Sequence, residues 1–216
     1  MHRRRRTALS VSAALLAAAP LLTACGGDAH PGAAAVVGGD RIETAALQAQ
    51  VRQVRSAQEA SPQAEQLIRA TGTLSREKLN GMIFDRVVEK VAADAGVTAS
   101  RKEVQETRRA AARQYGGEAQ LAAMLLQQQG TTPGEVDGMV RRGILMDKIA
   151  AKHGVSHTPE GQKKLAALFG AASRDLAVEV NPRYGTWDHD GIRLGDHQPP
   201  WLRQVTRDPA ATPAGA

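Results

Sequence analysis

The scarcity of aromatic residues is the feature that most constrains the fold of this chain. Its 216 residues include two each of tryptophan, tyrosine and phenylalanine. Aromatic and β-branched residues favour strands, whereas alanine, leucine, glutamine and arginine, which are abundant here, favour helices. We therefore expect a mainly α fold in which any sheet is small.

Capping signals place most of the helices. Ser100 with Glu103 and Thr132 with Glu135 have the spacing of capping boxes, and Thr158 precedes a proline that suits a first helical position. Apolar residues at helical spacing predict further helices capped by Thr44, opened at Ser75 and centred on residues 121–126. Glycines are expected to end four of these helices, at Gly96, Gly116, Gly130 and Gly154.

Two short segments predict a small β element. Residues Ala33–Val37 form an apolar run, a Gly38-Gly39-Asp40 turn follows, and Arg41-Ile42 resumes the extended pattern, which together indicate a hairpin. Val178-Glu179-Val180 alternates as a strand does. From Pro199 onward there is no periodicity, and we expect an irregular, mobile tail over residues 189–216.

The N-terminus has the organisation of an export signal. Four arginines, Arg3–Arg6, precede an uncharged stretch from Ala8 to Leu22, and small residues follow, as in secretory signals. Leu22-Thr23-Ala24-Cys25 resembles a bacterial lipobox, which implies cleavage before Cys25 and acylation of its thiol. We therefore expect a signal over residues 1–24, a glycine-rich tether over 25–32, and a lipid-anchored protein on the extracytoplasmic face of the cell membrane, with palmitate or a similar acyl group.

Two other interpretations of the N-terminus fit less well. An uncleaved membrane helix needs about 20 apolar residues, and this stretch contains Ser10, Ser12 and Pro20. Ordinary cleavage would leave Cys25, the single cysteine, as an unpaired thiol in an oxidising compartment.

The charge balance argues against nucleic acid as a partner. The formal net charge is +6, and removal of the four leader arginines lowers it to +2. Nucleic-acid binding requires lysine and arginine clustered on one face. The pairs Arg108-Arg109 and Arg141-Arg142 are short and are expected on solvated helix surfaces.

No catalytic, cofactor or metal site is predicted. His153 and His157 are separated by Gly154, which breaks the helix that would align them. Asp188-His189-Asp190-Gly191 resembles a calcium loop, but Pro199 stands where an EF-hand needs a bidentate glutamate; a loop site of another kind stays open. No Ser-His-Asp motif, phosphate-binding loop or pair of cysteines is present.

The methionines and tryptophans allow a structural and a functional interpretation. Methionines can line adaptable binding surfaces, but on helix stripes they more often fill the core, which is the role we expect here. The four concerned are Met82, Met124, Met139 and Met146. Trp187 and Trp201 flank a proline-bearing stretch and are expected to fasten it to the helices.

Two end segments resemble one family. Residues 34–42, Ala-Ala-Val-Val-Gly-Gly-Asp-Arg-Ile, and the segment Glu179–Asp188 are similar to the opening and returning segments of SurA-like periplasmic chaperones. The resemblance covers residues 33–188. It implies a helical SurA N-terminal-like domain, closed by a C-terminal strand that pairs with the N-terminal hairpin.

The resemblance also carries a functional expectation, with one departure. Members that isomerise proline carry parvulin domains of about 100 residues, but here only Val155-Ser156-His157 separates the two helices between which one is usually inserted. The family implies a holdase or a secretion or folding accessory that binds unfolded or newly secreted proteins through an apolar helical surface, here without isomerase activity. A structural or adaptor lipoprotein that docks one folded envelope partner is the alternative, and an enzyme is a third. The sequence does not identify the client-binding residues.

Overall fold

The computed structural model describes residues 32–156 and 158–196, and this part of the chain is mainly α-helical, as predicted. The helices are α1 (Thr44–Glu59), α2 (Ala64–Ala70), α3 (Leu74–Ala95), α4 (Arg101–Gln114), α5 (Glu118–Gln129), α6 (Val136–Lys152) and α7 (Pro159–Asp175). The strands are β1 (Ala33–Val37), β2 (Asp40–Glu43), β3 (Glu179–Val180), β4 (Thr186–Asp188) and β5 (Arg193–Gly195). The predicted leader with Leu22, Thr23, Ala24 and Cys25, as well as His157 and Trp201, lies outside the described residues.

The small sheet forms as the sequence predicted. Its strand order is β2-β1-β3, and both neighbours pair with β1 in the antiparallel sense. Val36 lies opposite Glu179 in the returning strand. Every residue of β1 is buried, because it has a strand on either side and the helices beneath it. The N-terminal hairpin and the strand that follows the last helix therefore close the domain together.

The tight turn of the hairpin requires glycine. Gly38 has a φ of +61°, and a Cβ there would come within 2.8 Å of Leu176 Cδ2. Its amide donates to the carbonyl of Leu176 at 2.6 Å. A left-handed backbone and a close approach both favour a residue without a side chain.

A second hairpin extends the ordered chain beyond residue 188, where an irregular tail was expected to begin. β4 pairs with β5, and Trp187 lies opposite Leu194. The carboxylate of Asp188 makes the turn possible, since one of its oxygens accepts the amides of Asp190 and Gly191, each at 3.0 Å. Strand β5 has no clear sequence signal, because three residues are too few for an alternating pattern.

The helix starts were predicted with mixed success. Both capping boxes are present, at Ser100 and Thr132, and the Oγ1 of Thr158 accepts from the amide of Gly161. Thr44, in contrast, is the first helical residue rather than a cap, because β2 leads directly into α1 and the Thr44 amide donates to the carbonyl of Gly32. Ser75 lies inside α3, which begins one residue earlier. The short α2 was not predicted.

Two apolar clusters hold the helices. The larger joins β1, α1, α3, α6, α7 and the C-terminal hairpin, and the smaller contains Ala112, Leu121, Leu125 and Val136. The four methionines pack as partly buried residues, Met82 and Met146 against the larger cluster and Met124 and Met139 against the smaller. The structure thus confirms that these methionines pack against the core, and all four are only partly buried. None of the helices in the described part is long and apolar enough to span a bilayer.

Trp187 fastens the returning segment to α7, as expected. Its indole Nε1 donates to Ser173 Oγ at 2.6 Å, and that oxygen lies 2.8 Å from His189 Nδ1. Ser173 is fully buried. Each of these polar groups therefore has a partner, which offsets the cost of removing them from water.

Candidate functional site

A cleft lies where α3 runs beside α6. Two ion pairs join α3 to α6 and to the turn just before it: Lys78 Nζ lies 2.7 Å from Glu135, which immediately precedes α6, and Arg142 Nη1 lies 2.7 Å from Asp85. The partners of both pairs are 57 residues apart. Since the separation is constant, α3 and α6 run in the same direction with a fixed register.

This register brings two equivalent sets of side chains to the cleft. A charged residue, a glycine, a methionine and a second charged residue recur with spacings of three, one and three, so that each set lies on one helical face. The first set is Lys78, Gly81, Met82 and Asp85; the second is Glu135, Gly138, Met139 and Arg142. The charges of the second set are opposite to those of the first, which explains why they pair across the cleft.

Two glycines open the space between the helices. Neither Gly81 nor Gly138 would bring an added Cβ within 4 Å of another atom, so no packing contact excludes a side chain there. Glycine inside a helix costs about 1 kcal/mol relative to alanine. These positions give up stability and leave a cleft of about 320 Å³, which is within the usual range for small-ligand pockets.

The lining of the cleft is mixed rather than apolar. Leu74, Met82 and Met139 supply its larger apolar side chains. The remainder is polar or small: Gln50, Glu77, Lys78, Gly81, Asp85, Gln129, Thr131, Gly134, Glu135, Gly138 and Arg142. Among the described residues, the large hydrophobic side chains that are exposed are Ile68 and Tyr115, and neither lines the cleft. Within the described residues, this cleft therefore combines apolar patches with a charged border.

The ion pair at one end of the cleft is well shielded. The side chains of Lys78 and Glu135 are 13% and 24% exposed. Burial raises the pKa of Glu135, but hydrogen bonds from Lys78 and Thr132 outweigh it, and the net effect is to lower the pKa below its usual range. Glu135 is therefore ionised at neutral pH and fixes the start of α6 against α3.

Glu77 differs from the other acids of the cleft. Its carboxylate accepts a hydrogen bond from Thr73 Oγ1 at 2.5 Å. Asp85 and Glu135 each have a cationic partner, whereas within the described residues no cation forms an ion pair with Glu77. The cleft thus offers one negative charge next to its apolar side chains.

The other residues singled out from the sequence do not converge on a common site. His153 follows α6 at its C-terminal end and is exposed. The pKa of Asp188 is lowered by hydrogen bonds from the amides of Gly191 and Asp190, so this carboxylate is engaged in shaping the turn. Asp190 pairs with Arg174 at 2.8 Å. Within residues 32–156 and 158–196, no three acidic, histidine or cysteine side chains are grouped so that they could hold a metal.

Ser173 and His189 form a contact that the sequence did not reveal. A serine beside a histidine is one part of a nucleophilic site. Here, however, the serine is enclosed and its oxygen already accepts the indole N–H of Trp187. A substrate has no access to this oxygen, and the contact serves packing.

The described residues form a helical domain closed by a small β element. A family model described as the SurA-like N-terminal domain matches residues 2–150, and the chain belongs to this family. The match ends within α6, so that α7 and strands β3–β5 lie beyond it. Neither the curated proteins nor the solved structures gave a match. The SurA-like N-terminal domain is a chaperone-type module, and its family is associated with the binding of unfolded proteins.

Sequence reasoning missed the cleft, although a signal was present. Gly-Met occurs at residues 81–82 and again at 138–139, each time preceded and followed at three residues by a charge. From helical spacing alone, these methionines are predicted to be core residues of separate helices. Only the parallel register of α3 and α6 places the two Gly-Met pairs at one site.

Proposed function

We propose that this protein is a lipid-anchored, extracytoplasmic chaperone-like protein that binds unfolded segments in the cleft between α3 and α6. Two facts support the proposal: the chain belongs to a chaperone-type family, and glycines inside two helices hold open a methionine-lined cleft. The second fact carries the proposal.

The chemistry of the cleft suits weak binding of varied sequences. Methionine side chains are flexible and polarisable, and they adapt to apolar groups of different shape. The burial of one large apolar side chain contributes about 1.5–3 kcal/mol. Hydrogen-bonding groups along the border, including Gln50, Gln129 and Thr131, can meet the backbone of an extended segment. A binding free energy built from a few such contributions permits both capture and release of a client, as a holdase requires.

The proposed anchor compensates for the weak affinity. Acylation of Cys25 with two or more chains would hold the protein stably on the bilayer, since each buried methylene contributes about 0.8 kcal/mol. Residues 26–32 would act as a short flexible linker. Tethering raises the effective concentration of the cleft where exported chains emerge, without any new contact.

The proposed activity involves no bond chemistry. The interval between α6 and α7, where related isomerases usually carry a parvulin domain, consists of six residues, 153–158. We infer that proline isomerisation is not a function of this protein. A coupled proline-isomerisation assay on a short peptide tests this inference, and turnover above the uncatalysed rate would refute it.

Aggregation assays test the proposed function. The mature chain with Cys25→Ser, which removes the acylation site, is added to two unrelated chemically denatured substrates that scatter light as they aggregate. We expect concentration-dependent suppression with both. If a tenfold molar excess of this protein suppresses the aggregation of neither substrate, it is not a holdase. Specific capture of one folded envelope protein would instead favour the adaptor alternative.

A further inference from the structure

We propose that the C-terminal segment of this chain, centred on Trp201, occupies the cleft between α3 and α6 and competes there with clients. This inference rests on the proposed function, because it concerns the regulation of the same cleft. The segment Pro199–Arg203 reads Pro-Pro-Trp-Leu-Arg and belongs to the part of the chain that the structure does not describe. Three observations on the described residues support this occupant.

The first observation is where the described chain ends. Asp196, its last residue, pairs with Arg76 of α3 at 2.7 Å, and the same guanidinium donates to the carbonyl of Gly195 at 3.0 Å. The amide of Leu194 donates to Asn80 Oδ1 at 2.8 Å. β5 is therefore fastened to α3, and the segment departs from the helix that forms one side of the cleft.

The second observation is the continuity of the surface. Leu194 lines a recess of about 310 Å³ together with Thr73, Arg76, Glu77 and Asn80. Glu77 also lines the methionine cleft, so the recess and the cleft are neighbours around α3. A segment that leaves β5 can pass over Glu77 and enter the cleft.

The third observation is that the segment is long enough to reach the cleft and that its side chains suit the cleft lining. Trp201 is five residues beyond Asp196, and five extended residues reach about 17 Å. Six residues of α3 separate Arg76 from Met82, a rise of about 9 Å. An indole is apolar enough for the methionines of the cleft, and its N–H can meet a polar group at the border. Arg203 supplies the cation that Glu77 lacks among the described residues.

Because the C-terminal segment is covalently linked to the domain, it can occupy the cleft even with a low intrinsic affinity. A short linker gives an effective concentration in the millimolar range, so an intrinsic dissociation constant of about 0.1–1 mM leaves the cleft half to nine-tenths occupied. The apparent affinity for a client falls in proportion to the free fraction. Removal of the competitor should therefore strengthen client binding between about twofold and tenfold.

Fluorine NMR of the full mature chain, carrying Cys25→Ser and labelled with 5-fluorotryptophan, tests the contact directly. Substitution Trp201→Phe assigns the resonance, and a synthetic peptide of residues 197–207 gives its free position. We expect the Trp201 resonance to differ from that of the peptide. Gly138→Leu, which fills the cleft, should move it to the free position, whereas Gly143→Leu on the same helix should not. Coincidence of the parent and peptide resonances would overturn the proposal.

Client binding gives a second readout that does not depend on the folding of a cleft variant. A fluorescent unfolded peptide is titrated with the parent chain and with Trp201→Ala, and tighter binding by the variant supports competition. Excess unlabelled client should also release the Trp201 resonance of the parent. If Trp201→Ala leaves the affinity unchanged while the client still binds in the cleft, the inference is wrong and the proposed function stands. If no client binds at all, the proposed function fails.

Discussion

Lys78 Nζ donates to both carboxylate oxygens of Glu135, at 2.7 and 2.9 Å, and this contact joins α3 to the turn that opens α6. The same carboxylate accepts the amide and the hydroxyl of Thr132, at 2.8 and 2.9 Å. One side chain thus caps α6 and sets its register against α3. Since the cleft depends on that register, this contact is structurally the most consequential ion pair near it.

Loss of this pair should destabilise the domain. In Lys78→Met, the partly buried carboxylate of Glu135 loses its cationic partner, and we expect the free energy of unfolding to fall by about 1–3 kcal/mol. Lys90→Met is the matched control, because Lys90 pairs with Asp94 on the exposed side of the same helix, and such pairs contribute about 0.3–0.5 kcal/mol. Urea denaturation measures both. Equal losses in the two variants would contradict the role assigned to Lys78.

Acid should weaken the contact between α4 and α6 through Glu103. A hydrogen bond from Lys148 and another from the Ser100 amide lower the pKa of Glu103 from 4.5 to about 2. A carboxyl with a lowered pKa in the folded state stabilises it fully above pH 4.5, and this contribution is lost as the pH falls towards 2.

The variant Glu103→Gln tests this pH dependence, because its amide does not titrate. Between pH 5 and pH 2 the urea midpoint of the parent should fall more than that of Glu103→Gln. Glu106→Gln, which changes an exposed acid on the same helix, should follow the parent. Parallel pH profiles for the parent and Glu103→Gln would show that this carboxyl does not contribute.

Substitution of glycine by alanine should stabilise the domain at Gly81 and Gly138 and destabilise it at Gly161. Gly81 and Gly138 have open space at the position of a Cβ, so alanine at either should raise the free energy of unfolding by about 1 kcal/mol. At Gly161 a Cβ would lie 2.0 Å from the carbonyl oxygen of Ser156. Gly161→Ala should therefore destabilise the start of α7. Thermal unfolding followed by circular dichroism checks all three, and destabilisation by Gly81→Ala and Gly138→Ala would mean that the cleft is closed.

Ser173→Ala should loosen the attachment of the C-terminal hairpin to α7. The substitution leaves the indole N–H of Trp187 without its acceptor in a buried position, at a cost of about 1–3 kcal/mol. Thr107→Ala, at an exposed position of α4, is the control. Urea denaturation and the near-ultraviolet circular dichroism of tryptophan report the change. An unaltered spectrum and unaltered stability would contradict the role of this hydrogen bond.

Acylation at Cys25 is a prediction from the sequence alone. In a bacterial host that processes lipoproteins, the parent should incorporate labelled palmitate and fractionate with membranes, and Cys25→Ser should do neither. Mass spectrometry of the mature N-terminus gives the decisive reading. An intact leader, or an unmodified thiol on the exported chain, would refute the anchor.

The parts of the fold that local signals determine were predictable from the sequence. The spacing of Ser100 with Glu103 and of Thr132 with Glu135 predicts the two capping boxes. The backbone freedom of glycine predicts the turn at Gly38, and the family resemblance predicts that residues 179–180 pair with β1. The hairpin formed by β4 and β5 was not predicted, because Asp188 organises its turn through contacts that only the folded chain creates.

The site was less predictable than the fold, for a physical reason. Gly81 and Gly138 are 57 residues apart in sequence, and nothing local indicates that their helices are parallel neighbours. Gln58, which is fully buried and donates to Thr71 Oγ1 at 3.2 Å, gave no local signal either. Features that arise from packing between distant parts of the chain become visible only in the folded structure.

Client binding by the Gly138→Leu and Gly143→Leu variants tests the central claim most directly. Both substitutions place leucine on α6 at a glycine with open space around it, but only Gly138 lines the cleft. With circular dichroism confirming that both variants fold, we expect Gly138→Leu to lose most of its suppression of aggregation and Gly143→Leu to match the parent. Full activity in Gly138→Leu, or equal loss in both variants, would contradict the assignment of client binding to this cleft.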